Sequence, residues 1–382
     1  MNGNVSRGGA DKKRLKSPSS KTRKPLPADC REFKQLRWGI LYDRCAAISK
    51  HFLLALKSCP RSQLVAIACP DTDRVQPIAD ELEVEKVYGC YDDLLEDKAI
   101  DGVYIAVSNS LHAELAKKTV KGGKHCLVEK PLATKVSDVI ELEQLAKEAN
   151  VIIAEGYAHL YHPQYHAIKQ EIKSGCIGDV SHMYGNFDLH AKNNNNNNNK
   201  SVIDRKGADS DIGAIWNIGC YPVSMMVGIV GKCPLKVSAV KQKGQRGEDV
   251  KMIGWMNFDE NVIGSISASI TCPTNTYFEI VGTKGRMRLH KDWCFHPDSW
   301  NTTNSFELVM EGQPSKEVTV LCQNVFRSEI LSFEASVLDG KRAVVPLTLS
   351  KDIVATVEAL CTSADSDGIP VRPYIVNSTK DT

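Results

Sequence analysis

The sequence predicts an α/β protein in which a doubly wound parallel sheet is followed by an α+β domain with a large, mainly antiparallel, open-faced sheet. Two observations predict this fold class. From Arg37 to about residue 157, short apolar runs alternate with amphipathic stretches, as in successive β-α-β units. After about residue 175, longer segments alternate apolar and polar residues, which is typical of sheets with one covered face.

The apolar runs of the first half predict parallel strands, and the stretches between them predict helices. Strands are expected at 38–41, 64–68, 102–107, 125–129 and 151–154, and helices at 46–58, 73–82, 111–120 and 136–149. Because β-α-β crossovers are right-handed, the carboxyl ends of these strands meet at one edge of the sheet. Open α/β sheets bind their ligands at that edge.

The second half predicts strands at 262–270 and 277–281 and a helix at 350–364, where Ile353, Val357 and Leu360 recur at helical spacing. The predicted domains are 36–157 for dinucleotide binding, 158–349 for substrate and dimerisation, 350–373 for a helix and segment that pack back on the core, and 374–382 for a tail. The seven asparagines from 193 to 199 are expected to form a solvent loop.

Residues 1–35 are expected to form a disordered basic tail. They hold many lysines and arginines among Ser, Gly and Pro, and they lack apolar periodicity. A cleaved transit peptide and a nuclear-import patch are the alternative readings of such a composition.

The overall composition excludes several function classes. A net charge of +2 argues against nucleic-acid binding, which requires a concentrated basic face. The sequence contains no run of about 18 apolar residues, so no membrane span is predicted. The 13 cysteines include no Cys-x-x-Cys pair, so reduced thiols and a cytoplasmic location are expected.

Lys130 is the first candidate functional residue. The run Glu129-Lys130-Pro131 follows a predicted strand, and Ser108 and Asn109 follow the strand before it. Pro131 pushes Lys130 toward extended geometry, which directs the amine into the ligand crevice. A solvated surface lysine before a turn is the alternative reading.

Several separated motifs together resemble the Gfo/Idh/MocA family, named after glucose-fructose oxidoreductase and inositol dehydrogenase. Within that family they are most similar to the branch of dihydrodiol dehydrogenase and NADP-dependent D-xylose dehydrogenase. The matching motifs are Glu129-Lys130-Pro131, His162-Pro163-Gln164, Gly175-Cys176-Ile177-Gly178, Ile218-Gly219-Cys220-Tyr221-Pro222 and Val281-Gly282-Thr283-Lys284-Gly285. The resemblance implies a Rossmann domain followed by an α+β domain.

The resemblance also implies a reaction. The protein is expected to be an NAD(P)-dependent oxidoreductase that transfers hydride between a nicotinamide cofactor and the hydroxyl carbon of a sugar or a trans-dihydrodiol. Lys130 matches the lysine that bonds the reacting oxygen, and Tyr221 matches the general acid/base. Asn217 stands where the family usually has Asp; an amide orients a hydroxyl but cannot accept its proton.

The cofactor expected from the resemblance is NADP, with NAD as the alternative. Its expected ligands are Gly39, Arg44, Cys45, Asp71, Arg74, Ser108, Asn109, His112, Glu129 and Lys130. The usual glycine-rich turn is replaced after Gly39 by Leu41-Tyr42-Asp43-Arg44-Cys45-Ala46-Ala47, in which Arg44 is a candidate phosphate partner. Asp71 and Arg74 follow the second strand, where the family selects between NAD and NADP.

Tyr157 and His159 are expected to contact the substrate together with Tyr221. His112 either lines the nicotinamide pocket or packs at a helix entry. His159, His162 and His166 recur at helical spacing, but no carboxylate or thiolate cluster accompanies them, so no metal is expected and His162 is interpreted as a helix cap.

Two alternatives stay open at the level of sequence. The lost loop glycines and Asn217 also suit a catalytically impaired pseudoenzyme of the same fold that acts as a ligand sensor or a protein-binding scaffold. An aberrant exon between Leu41 and Ala47 is a further explanation of the loop. The resemblance also implies a homodimer that pairs through the sheet of the second domain.

Overall fold

The computed structural model describes residues 34–43, 47–189, 213–245, 247–289 and 300–373, with side chains omitted for residues 47–50. Several sequence predictions lie outside these residues. They are the basic tail, the asparagine run, the C-terminal tail, Arg44 and Cys45. All elements below belong to the compact unit that begins at Gln35.

The first half of the chain forms the expected parallel sheet, with strand order β3-β2-β1-β4-β5-β6. Every pairing in it is parallel. Its strands are β1 (Leu36–Tyr42), β2 (Ser62–Ala68), β3 (Lys86–Tyr88), β4 (Gly102–Ala106), β5 (His125–Glu129) and β6 (Ile153–Gly156). The sequence missed β3, which has three partly buried residues and no long apolar run.

Helices cover both faces of this sheet. They are α1 (Ala47–Lys57), α2 (Thr72–Leu82), α3 (Tyr91–Glu96), α4 (His112–Lys121) and α5 (Val136–Ala149). The predicted helix bounds agree with α1, α2, α4 and α5 to within one residue, whereas the six-residue α3 was missed. Such a short helix is stabilised by packing and leaves little periodicity in the sequence.

One face of the parallel sheet is covered by a helix from the far end of the chain, α9 (Val325–Asp339). Its Phe333 packs against Trp38 of β1, with ring centroids 5.1 Å apart. Phe326 packs edge-on against Phe52 of α1, and all four rings are almost fully buried. The sequence assigned residues 158–349 to the second domain, and it did not predict that part of this range would complete the core of the first.

The second sheet has the strand order β14-β13-β12-β11-β7-β10-β9-β8. Its strands are β7 (Val180–Asp188), β8 (Lys236–Lys243), β9 (Asp249–Asn257), β10 (Ile263–Ser269), β11 (Asn275–Gly282), β12 (Gly285–Leu289), β13 (Thr302–Met310) and β14 (Lys316–Cys322). The predicted strands 262–270 and 277–281 correspond to β10 and β11. β10 pairs in parallel with β7, and all other pairings are antiparallel.

The remaining helices are α6 (Ala158–Tyr161), α7 (Pro163–Ser174), α8 (Cys220–Val230) and α10 (Leu347–Asp365). α8 and α10 bury Met226, Val227, Val357 and Leu360 in the main core. The opposite face of the second sheet exposes large apolar side chains, among them Tyr184, Ile253 and Trp255. None of the helices in the described ranges combines the length and the apolarity that a bilayer crossing requires.

Candidate active site

Lys130 follows β5 at the carboxyl edge of the parallel sheet, where the sequence placed it. Its Nζ donates a hydrogen bond of 2.6 Å to the backbone carbonyl oxygen of Asn217. The same amine lies 4.8 Å from the centre of the Tyr221 ring. Three predicted catalytic residues, from segments about 90 residues apart, are therefore in contact.

The carbonyl of Asn217 is available because of the local helix geometry. Ile215–Gly219 form a π-helical turn that runs into α8. In π-helical register the carbonyl of Asn217 would accept from residue 222, which is Pro222 and has no N–H. Lys130 Nζ donates to this carbonyl, and this bond holds the amine next to Tyr221.

The π-helical turn is anchored at its start by Asp249 of β9. The carboxylate of Asp249 accepts a 3.0 Å hydrogen bond from the backbone N–H of Ile215. Gly213 lies against the same carboxylate, because an added Cβ would come 1.5 Å from Asp249 Oδ1 and the φ of Gly213 is +71°. The side-chain amide of Asn217 donates to the carbonyl oxygen of Gly213 at 2.9 Å. Asp249 and Gly213 thus position the segment that carries Asn217 and Tyr221.

Tyr221 lies in a buried group of aromatic rings. Its ring stacks on Phe187 at 5.1 Å, and the His159 ring lies 5.1 Å from it. Tyr157 meets it edge-on at 6.4 Å. The structure therefore brings both predicted substrate residues, Tyr157 and His159, to the predicted acid/base, and it adds Phe187 at the end of β7.

Burial shifts the pKa values of the aromatic side chains around Tyr221. Burial and then the nearby charge of Lys130 together lower the pKa of His159 to about 3. His159 Nε2 lies 3.0 Å from Ser224 Oγ on α8. His159 is thus a neutral imidazole at physiological pH, suited to hydrogen bonding and not to carrying a charge. Burial also raises the pKa of Tyr157, whose hydroxyl lies against the buried thiol of Cys220.

Three carboxyl groups lie behind Lys130: Glu155 and Glu329 are buried, and Glu129 is half-buried. Glu129 accepts a 2.5 Å hydrogen bond from the Tyr104 hydroxyl and a 3.2 Å hydrogen bond from the backbone N–H of Lys130. Glu155 accepts from the backbone N–H of Leu132 at 2.7 Å, and burial raises its pKa to about 7. Glu329 of α9 is fully buried, and neither of its carboxyl oxygens has a hydrogen-bond partner among the described residues.

The end of β4 contributes Ser108, Asn109 and His112. Asn109 begins a 3-10 turn, and His112 begins α4. The His112 ring is fully buried, with one nitrogen 2.7 Å from the carbonyl oxygen of Pro131 and the other 3.0 Å from that of Val107. These contacts tie the end of β4 to the turn after Lys130, which favours the helix-entry packing role over a place in the nicotinamide pocket.

Asp43 is a further residue of this edge, and no role for it was predicted from the sequence. It follows β1, and its Oδ2 accepts hydrogen bonds from the backbone N–H and the hydroxyl of Ser108, at 2.6 and 2.5 Å. The thiol of Cys69, at the end of β2, donates to the backbone carbonyl of Asp43 at 3.4 Å. The turn after β1 is therefore joined to the end of β4 through the Asp43 carboxylate and to the end of β2 through the Asp43 backbone carbonyl. An acidic residue directly after the first strand is the signal that could have revealed it.

The other predicted cofactor residues are spread along the edge. Gly39 lies inside β1, where an added Cβ would come 2.7 Å from Leu94; its lack of a side chain serves packing. Asp71 and Arg74 are exposed at the start of α2. Arg74 forms no ion pair with any described residue, so its guanidinium is available to a ligand at the end of β2.

His162 and His166, which recur with His159 at helical spacing, do not form a metal site with it. His162 caps α7 by accepting a 3.0 Å hydrogen bond from the backbone N–H of Gln164, which confirms the cap that Pro163 indicated. His166 lies exposed on α7. Among the residues with described positions, no three His, Cys, Asp or Glu side chains come together as a metal site requires.

The described residues fit a nicotinamide dinucleotide at the carboxyl edge. Lys130, Tyr221 and the Tyr157 hydroxyl provide polar groups in a buried setting, which suits the nicotinamide end. Arg74 suits the ribose end with its 2′-phosphate. At the pyrophosphate position, Asp43 brings a negative charge that Ser108 compensates through its two donated hydrogen bonds.

The fold and this site are those of a dinucleotide-binding oxidoreductase. The model of the Gfo/Idh/MocA oxidoreductase family with its NAD-binding Rossmann fold matches residues 45–157, and the model of the Gfo/Idh/MocA C-terminal domain matches residues 165–288. Together they span well over half of the chain. The chain belongs to the Gfo/Idh/MocA oxidoreductase family, as its motifs predicted.

Curated relatives cover most of this chain. NADP-dependent D-xylose 1-dehydrogenase 2 of Haloferax volcanii is 26% identical over 308 residues, which are 80% of this chain and 90% of the relative. Human trans-1,2-dihydrobenzene-1,2-diol dehydrogenase is 29% identical over 265 residues, which are 68% of this chain and 76% of the relative.

Solved structures confirm the fold. The 3-ketoreductase KijD10 of Actinomadura kijaniata, in complex with NADP and TDP-benzene, superimposes with a TM-score of 0.76 at 23% identity, covering 86% of this chain and 98% of that one. Aldose-aldose oxidoreductase of Caulobacter crescentus, complexed with glycerol, gives a TM-score of 0.75 at 17% identity, covering 88% and 99%.

Proposed function

We propose that this protein is an NADP-dependent oxidoreductase that interconverts a hydroxyl and a carbonyl group on a sugar or a trans-dihydrodiol. The contact of Lys130 Nζ with the carbonyl of Asn217 and the ring of Tyr221 carries the proposal, because it places two proton-bearing groups together at the ligand edge of the sheet. The relatives named for D-xylose and for dihydrobenzenediol support the substrate class and NADP.

Each residue of the site has a proposed role in the reaction. When bound, the nicotinamide supplies hydride exchange at the reacting carbon. Lys130 donates a hydrogen bond to the substrate oxygen and stabilises negative charge on it. Tyr221 gives a proton to that oxygen in the reducing direction and takes one from it in the oxidising direction. The amide of Asn217 cannot exchange a proton, and its bond to Gly213 orients the turn.

Cofactor selection is proposed to depend on the end of β2. Arg74 would pair with the 2′-phosphate of NADP, and Asp71 would accept from a ribose hydroxyl. Ser108 and Asn109 are proposed to meet the cofactor at the end of β4. Glu129 acts from behind, holding the backbone of Lys130 through the 3.2 Å hydrogen bond.

Exchange of Lys130 for methionine tests the function. Lys130→Met removes the proposed hydrogen-bond donor, so kcat/KM for the turnover of D-xylose or a trans-dihydrodiol should fall by at least about 100-fold. The exposed Lys135, just beyond Pro131, provides a matched control, and Lys135→Met should retain full activity. NADPH fluorescence titration of the unaltered protein should show saturable binding.

Two results would contradict this function. One is the absence of NADPH and NADH binding at millimolar concentration. The other is equal activity of the Lys130 and Lys135 variants in an otherwise active protein. The first outcome would favour the catalytically impaired protein that the altered first turn suggested, and the second would exclude Lys130 from the reaction.

The protein is further proposed to be a homodimer that pairs through the exposed face of the second sheet. Trp255, Ser265 and Tyr184 lie in one row across β9, β10 and β7 on this face. Trp255 and Tyr184 are 38% and 44% exposed, and Ile253 is 54% exposed. An apolar sheet face of this kind is stabilised when a second copy covers it.

A cytoplasmic location is part of the same proposal. All cysteines among the described residues are free thiols, which suits a reducing compartment.

A further inference from the structure

A second cleft lies away from the candidate active site. It has a volume of about 680 Å³ and is lined by α7, the C-terminal end of α8 and the segment that leads into α10. α8 begins beside Tyr221 and ends at Gly231, so the two sites are about 15 Å apart along this helix. A cleft of this size accommodates a small organic molecule.

Three cationic side chains line the cleft. Lys169 and Lys173 lie one turn apart on α7, and Arg342 lies on the segment before α10. None of the three forms an ion pair with a described residue. Asp352 is the single acidic residue among the described lining residues. Unpaired like charges facing one cleft repel each other, and an anion bound between them would relieve this repulsion.

The three cations line the same cleft, and one of them is held in place. Burial and then the charge of Arg342 lower the pKa of Lys169. The Lys169 amine donates to the carbonyl oxygen of Gly228 at 3.1 Å and lies 5.3 Å from the centre of the Tyr165 ring. Because its position is fixed before a ligand arrives, less side-chain entropy is lost on binding.

The rest of the lining suits an organic and hydroxylated ligand. Ile229 and Leu349 provide apolar surface, and Asp352 provides a hydrogen-bond acceptor. Thr348 and Leu349 belong to the first turn of the 19-residue helix α10, whose positive end adds to the field of the three cations.

We propose that this cleft binds a small hydroxylated organic phosphate, such as a sugar phosphate. The phosphate contacts Lys169, Lys173 and Arg342, while the hydroxylated body lies along Ile229 and Leu349 and donates to Asp352. A phosphate monoester matches three cations better than a carboxylate does, because it carries close to two negative charges and three acceptor oxygens. The site is separate from the proposed catalytic centre and does not depend on its function.

Calorimetric titration of the full chain without cofactor tests the proposal, with glucose 6-phosphate, glucose and inorganic phosphate as probes. Glucose 6-phosphate should bind once per chain and more tightly than inorganic phosphate. Arg342→Gln and Lys173→Gln should each weaken its binding about tenfold or more. The neighbouring Lys341 is exposed and does not line the cleft, so Lys341→Gln should bind like the unaltered protein.

Three outcomes would overturn the inference. They are no binding of glucose 6-phosphate up to about 10 mM, equal binding by the Arg342 and Lys341 variants, and inorganic phosphate binding as tightly as the sugar phosphate. Titration with glucose alone should give the same heat in the unaltered protein and in the Arg342→Gln variant. Since no cofactor is present and no turnover is measured, these results are independent of the oxidoreductase proposal.

Discussion

At the scale of single residues, the protonation of Glu329, behind the candidate site, is expected to make the free energy of unfolding depend on pH. Glu329 lies fully buried against Gly156, where an added Cβ would come 3.1 Å from Glu329 Oε1. Burial, and then the negative charge of Glu129, raise the pKa of Glu329 well above its usual range. The folded protein therefore keeps a proton there that the unfolded chain releases above about pH 4.3.

The sign of the resulting pH dependence follows from linkage. Above the unfolded pKa the folded state binds the extra proton, so Glu329 lowers the free energy of unfolding as pH rises, by at most about 1.4 kcal/mol per pH unit. Glu329→Gln mimics the neutral acid and should be more stable than the unaltered protein, with a gain that grows as the pH rises above about 4.3, the pKa in the unfolded chain. Urea unfolding at equal protein concentration measures this gain.

The exposed Glu96, at the end of α3, offers the control for this experiment. Glu96→Gln should leave the pH profile of stability unchanged. A Glu329→Gln protein that is less stable than the unaltered chain at neutral pH would contradict a neutral Glu329.

Arg74 is the residue at which the choice between NADP and NAD is predicted to be decided. Arg74→Gln removes the only cation proposed for the 2′-phosphate, so the dissociation constant for NADPH should rise about tenfold or more while that for NADH changes little. Fluorescence titration with both cofactors measures the ratio. Arg372→Gln, at another exposed arginine, should leave both constants unchanged; a parallel loss of NADH affinity in Arg74→Gln would assign Arg74 a structural role.

At the scale of elements, the π-helical turn before α8 is predicted to depend on Gly213. Gly213→Ala would place a methyl group on the carboxylate of Asp249 and release the turn that carries Asn217 and Tyr221. We expect a loss of about 2 kcal/mol or more in stability, together with a fall in kcat.

A substitution at Gly231, at the end of α8, distinguishes the cost of backbone strain from the cost of the clash with Asp249. Gly231 also has a positive φ, +77°, but nothing lies within 4 Å of an added Cβ. Gly231→Ala should therefore cost only the backbone strain, about 1 kcal/mol, and should retain kcat. Equal thermal shifts in the two variants would show that the contact of Gly213 with Asp249 is unimportant.

At the scale of the whole molecule, the exposed face of the second sheet is predicted to hold two chains together. Trp255→Asp places a charge in the middle of this face, so light scattering at micromolar concentration should change from a dimer to a monomer. Leu54→Asp introduces the same change at a similarly exposed apolar residue of α1 and should leave the dimer intact. A monomeric unaltered protein, or a dimeric Trp255→Asp variant, would exclude this interface.

Local pattern determined most of the architecture. Apolar runs flanked by amphipathic stretches specified five strands of the parallel sheet, and β-branched alternation specified β10 and β11, because these periodicities follow directly from backbone geometry. The motif at the end of β5 also located Lys130, since parallel strands present their carboxyl ends at one edge, and the family resemblance located Tyr221. Short elements such as β3 and α3 were not predicted, because packing stabilises them and their own sequence does not.

The tertiary structure alone decided how the site is assembled. Asp249 meets Ile215 across 34 residues, and α9 returns from the end of the chain to place Glu329 behind Glu129. The bond from Lys130 to Asn217 spans 87 residues. No local periodicity encodes such pairs, because they form only when separate elements pack. The sequence by itself therefore determined that Lys130 lies at a ligand-binding edge, and packing decided that its amine donates to the carbonyl of Asn217, beside the ring of Tyr221.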